Sequence, residues 1–124
     1  MRLYCYLQIK PLDEIKFTST KSSEFRANGY LAFEADSHSD TFLMEQGKQL
    51  VQEASDIFLE IDANENENIG KLSLFFEYLR KSELTVTYSL EGNHERIEKM
   101  LRFIRAERTE DISAYFKSKS STSR

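Results

Sequence analysis

The chain has 124 residues, 40% of them hydrophobic and 31% charged, which suits one domain with a packed core whose bulk comes from nine Phe and six Tyr. Its formal net charge of −4 argues against a general nucleic-acid binder, which shows a basic balance or a basic stripe. One cysteine, Cys5, excludes an internal disulfide; with a start too polar for a signal peptide and no run near the roughly 18–20 apolar residues of a membrane span, a soluble cytoplasmic protein is expected.

The first element is an alternating row. Leu3, Cys5, Leu7 and Ile9 point one way, and Tyr4, Tyr6 and Gln8 the other, so a strand with one buried face is expected. Cys5 is then a small buried hydrophobe rather than a reactive thiol. Pro11 ends the strand, and a weaker strand is expected around Ile15 and Phe17. Asn28-Gly29 suits a type I′ turn, and Leu31, Phe33 and Ala35 alternate after it, so a hairpin is expected here.

The period then changes. Leu43, Gly47, Leu50, Val51 and Ala54 recur at helical spacing behind a cap at Ser39 or Asp40, with Gly47 marking a close approach to the sheet. A short apolar strand, DIFLEID, follows. Leu72, Phe75, Phe76 and Leu79 predict a second amphipathic helix, and ELTVTYSL another strand. Ile97, Met100, Leu101 and Ile104 share one face of a third helix. Arg96, Lys99, Arg102 and Arg105 fall on the opposite half, interleaved with Glu95 and Glu98, as on an ordinary solvated face rather than a nucleic-acid site. Thr109 can cap a short last helix, with Glu110 and Asp111 in its first turn.

The expected architecture is a single α/β domain over residues 1–117, with residues 118–124 as a disordered tail. Strands alternating with helices imply parallel neighbours, and the hairpin makes the sheet mixed.

The stretch DANENENIGKLS, Asp62 to Ser73, invites chemistry. Asp62, Asn64, Asn66 and Asn68 take alternate positions of a calcium loop. Glu67 stands where a glycine is needed, however, and Ser73 where a bidentate Glu is needed. Gly70-Lys71 is too little for a phosphate cradle beside Glu65 and Glu67. His38 and His94 lie near helix starts, where a capping or surface role is commoner than acid–base work. No nucleophile elbow and no metal-spaced His pair occurs, so no catalytic residue, metal or cofactor is expected. The loop reads as a solvated connection at the carboxyl end of a strand, where open α/β sheets place binding surfaces.

From Phe58 to Ile104 the run of strand, loop, helix start, long helix, strand and amphipathic helix resembles the STAS domain (sulfate transporter and anti-sigma factor antagonist). The resemblance implies a STAS-like fold and a regulatory interaction module. The family's phosphorylatable serine would fall at about Ile69 or Gly70, and neither has a hydroxyl. The partner-binding surface it implies comprises Asn66, Asn68, Ile69, Gly70 and Lys71, for protein partners that include a second copy. Tyr4 and Tyr6, on the nominally polar face of the first strand, would cover another element or a second subunit of a homodimer. The alternative is a carrier of small apolar, lipid-like ligands, prompted by the Phe and Tyr content; against it, Phe75, Phe76 and Phe103 are ordinary core residues. Nucleic acid and a membrane span are not expected.

Overall fold

The computed structural model describes residues 1–16 and 21–116. Five strands form one sheet: β1 (Arg2–Ile9), β2 (Tyr30–Asp36), β3 (Asp56–Ala63), β4 (Val86–Glu91) and β5 (Glu107–Arg108). All four pairings are parallel, and the spatial order is β2-β1-β3-β4-β5. That is the doubly wound order in which the chain leaves β1 toward one edge and β3 toward the other. The single-domain α/β class stands; the sheet is parallel throughout rather than mixed.

The expected hairpin is the reason for that difference. Ser22–Ala27 form a short helix, α1, and Asn28-Gly29 close its carboxyl end before β2 begins. Asn28 sits at φ −99° and Gly29 at φ 86°, with their amides bonded to Phe25 O and Arg26 O at 3.0 and 3.1 Å. A type I′ turn needs positive φ at both residues; a helix stop needs it only at the glycine. The dipeptide serves either purpose, and Phe25, fully buried against the sheet, decides for the helix. Ile15 lies outside any strand, and Phe17 and residues 118–124 lie outside the described residues.

β1 is central, so both of its faces are covered. Leu3, Cys5, Leu7 and Ile9 join Ile57, Leu59 and Ile61 of β3 beneath α2 (Thr41–Glu53), α3 (Leu72–Ser82) and α4 (Glu95–Phe103). Tyr4 and Tyr6 join Phe25, Tyr30, Phe58 and Tyr115 on the opposite face, beneath α1 and the helical turn at residues 112–116, α5. Tyr4 stacks on Phe25 at 4.1 Å and donates its hydroxyl to Glu60 Oε1 at 2.7 Å. The two tyrosines therefore cover elements of their own chain, and the expectation of one exposed strand face is corrected. They give no ground for a second subunit.

The helices start as local chemistry requires. Asp40 Oδ1 accepts from Leu43 N at 3.0 Å and caps α2. Leu72, Phe75, Phe76 and Leu79 are all buried, as their spacing predicts. A Cβ on Gly47 would stand 2.8 Å from the Phe33 ring and 3.0 Å from Phe75, so glycine lets α2 press onto both β2 and α3. The cap of α5 is Asp111, which accepts from Ala114 N at 3.2 Å, rather than Thr109. No helix of the described residues is long and apolar enough to cross a membrane.

Candidate interaction surface at the carboxyl ends of the strands

At the switch point the chain leaves Ile9 and Ala63, paired neighbours on β1 and β3, toward opposite faces. Such a divergence opens a crevice in many doubly wound sheets. Here protein groups fill it. Lys10 Nζ pairs with Asp62 at 2.8 Å, both nearly buried. Gln8 holds the Lys16 backbone by two hydrogen bonds of 2.8 Å, one through each end of its amide. Ser37 N donates to Gln8 O and Asn64 N to Ile9 O, each at 2.9 Å, tying the β2–α2 and β3–α3 connections to β1. His38 closes onto Lys10 O through its ring at 2.8 Å.

The Asn-rich loop is held as firmly. Asn66 and Gly70 take left-handed backbone, φ 63° and 58°. Asn68 Oδ1 accepts from Gly70 N at 2.8 Å, an Asx turn leading into α3. A Cβ at Gly70 would run into Ser37 O, so glycine seats this loop directly on the β2–α2 connection. Gly92 approaches Ala63 O in the same way. His94 caps α4 by accepting from Ile97 N at Nδ1, 3.3 Å, which leaves Nε2–H to donate to Glu67 O at 2.6 Å. Both ring nitrogens serve the scaffold.

Of the five residues expected to bind a partner, Asn66, Asn68, Gly70 and Lys71 face solvent. Ile69 is 1% exposed and belongs to the core, so it anchors the loop. Three of the four side chains that suggested a calcium loop have separate occupations. Asp62 takes Lys10, Asn64 takes Glu14 at 3.3 Å, and Asn68 takes the Gly70 amide. Beside the loop lies an open depression lined by Ser37, His38, Asp40, Gly70, Lys71 and Ser73. The arrangement offers a stiff, mainly polar surface with few soft side chains to order, which lowers the cost of docking a partner.

Two groups below this surface titrate far from ordinary values. Burial pushes the Cys5 thiol well up, as its place in the core requires. Burial, then the carboxylates of Asp62, Glu60, Glu91 and Glu34, push the Tyr6 hydroxyl up to about 12. Sequence reasoning missed the Gln8 clamp, the Lys10–Asp62 pair and the role of His94 on Glu67. Gln8 and Asp62 share register on adjacent strands, and that pairing has no local signal.

No family model and no curated protein matches the chain. Its fold is similar to that in the solved structure of the RPS4 and RRS1 TIR domain heterodimer. The TM-score is 0.58 at 16% identity, over 95% of this chain and 92% of that one. At that identity the likeness speaks for the fold alone. It corrects the STAS resemblance: the parallel order matches a TIR-type sheet, and the loose helix-start similarity around Asn68 to Lys71 reflected a βα connection common to many α/β chains. The lipid-like carrier finds no support either. Phe75 and Phe76 are core, and Phe103, expected there too, is 70% exposed.

Proposed function

We infer that this chain is a non-catalytic interaction module that docks a protein partner on the carboxyl-end surface of its sheet. One observation carries the reading: the switch-point crevice is occupied by Lys10, Asp62 and the loop seated on Ser37, leaving a firm outer surface of Asn66, Asn68, Gly70, Lys71, His38 and Asp40. Both ring nitrogens of neighbouring His94 are engaged by the scaffold, so that histidine acts as a structural group. The related fold in the RPS4 and RRS1 pair is a heterodimer of two domains, which supports pairing with another domain, or with a second copy, in this chain too.

The test is affinity capture from the source organism with the native chain and with the double variant Asn68→Asp, Lys71→Glu. The first change keeps a side-chain oxygen to accept from Gly70 N, and acidic side chains suit the start of α3, so the variant folds. A partner recovered by the native chain and lost by the folded variant supports the reading. An identical set of partners refutes this surface.

A further inference from the structure

α2 and α3 both end at the amino end of the sheet, where the chain turns into β3 and β4. Between the two helix ends lies an open cavity of about 230 Å³. It is opposite the carboxyl-end surface, from which both helices start. Val51, Ala54, Leu84 and the Tyr78 ring give it an apolar floor, and Lys48 and Lys81 a charged rim. The turn that closes it has local causes. Glu83 takes left-handed backbone, φ 58°, and stops α3, so the chain reverses at Leu84 toward β4. The Ser82 hydroxyl is spent inside that turn, donating to Leu79 O at 2.7 Å and accepting from Leu84 N at 3.3 Å.

Both charged groups of the lining are cations. Lys48 Nζ stands 5.4 Å from the centre of the Tyr78 ring, and neither lysine makes a salt bridge among the described residues. The acids beside the rim are committed elsewhere. Glu45 accepts from the Tyr78 hydroxyl at 3.4 Å, and Glu77, four positions before Lys81, binds Arg80 at 2.9 Å. The carboxyl ends of α2 and α3 oppose an anion, but each carries only about half a charge against the full charge of each ammonium.

Size, floor and charge together select the ligand. We propose that this cavity binds a small organic anion, a phosphate or carboxylate on a compact apolar body, with its charge between Lys48 and Lys81 and its body on Val51, Ala54, Leu84 and Tyr78. At about 230 Å³ the space is below the roughly 300–1,000 Å³ of pockets for drug-sized ligands, so an acyl chain does not fit. Inorganic phosphate would answer the lysines but leave the apolar floor wet. A neutral aromatic would cover the floor but leave both ammonium groups unanswered. The site lies outside the carboxyl-end surface and stands without the interaction-module reading.

Titration of the isotope-labelled full chain with phenyl phosphate, followed by NMR, tests it. Saturable shifts are expected at Val51, Ala54, Tyr78 and Leu84, and the binding should weaken as salt rises. Inorganic phosphate and benzyl alcohol, which carry the charge and the ring separately, should each bind roughly tenfold or more weakly. Lys48→Gln with Lys81→Gln should weaken phenyl phosphate roughly tenfold or more, and Lys99→Gln on α4 should leave it unchanged. A spectrum unchanged away from the cavity will show that the double variant is folded, and the salt dependence is read on the native chain. No saturable shift, binding indifferent to salt, equal binding by the folded double variant, or equal binding of inorganic phosphate would each overturn it. So would shifts of the same residues on diluting the free chain, the mark of a second copy in the cavity.

Discussion

Gly70 concentrates the residue-scale argument. Its φ of 58° penalises any side chain, and a Cβ there would also strike Ser37 O, a backbone atom that cannot swing aside. Gly29 has φ 86° but open space around its missing Cβ. Gly29→Ala should therefore cost about 1 kcal/mol, and Gly70→Ala about 3 kcal/mol or more, in denaturant unfolding. Equal losses would mean that the loop does not sit on Ser37. For the same reason Gly70→Arg would confound binding with folding. Tyr6 gives a pH prediction. Its folded value near 12 exceeds the ordinary 10.0, so between those values the unfolded chain loses the proton first. The contribution is fully present below the lower value and disappears as pH rises through the upper one. Tyr6→Phe should flatten the alkaline loss of stability relative to the native chain, Tyr115 retaining its own slope because burial and Tyr30 raise it as well. An unchanged slope would show that Tyr6 ionises alike in both states.

At the scale of elements, periodicity decided what was legible. α2, α3 and α4 follow from their apolar spacing, and Asp40 and His94 stand at helix starts where their side chains bond the first turn. The α1 crossover was hidden because it is six residues long and offers one buried aromatic, too little for a period. That aromatic is also its test. Phe25 lies within 4.1 to 5.1 Å of the Tyr4, Phe58, Phe116 and Tyr30 rings. Phe25→Ala should cost about 3–5 kcal/mol in denaturant unfolding, whereas the same change in an exposed hairpin arm would cost under about 1 kcal/mol. β5 escaped notice for a similar reason: two exposed residues, Glu107 and Arg108, carry no pattern of their own and are strand only because β4 pairs with them.

On the scale of the whole molecule, alternation in β1 was visible but its meaning was not. A row such as Leu3, Cys5, Leu7 and Ile9 indicates one apolar face, while burial of Tyr4 and Tyr6 depends on α1 and α5 arriving from distant parts of the chain. The candidate surface was legible as a location, since the Asn-rich loop ends a strand. Its closure was not, because Lys10 meets Asp62, and Glu67 meets His94, only through the sheet order. On the proposed function, that closure turns a potential ligand crevice into a docking surface. The most direct measurement is hydrogen exchange on the free chain and on the complex with its captured partner, compared peptide by peptide. Added protection at residues 36–40 and 64–74 is the predicted result. A complex that leaves residues 36–40 and 64–74 exchanging as they do in the free chain would contradict the account.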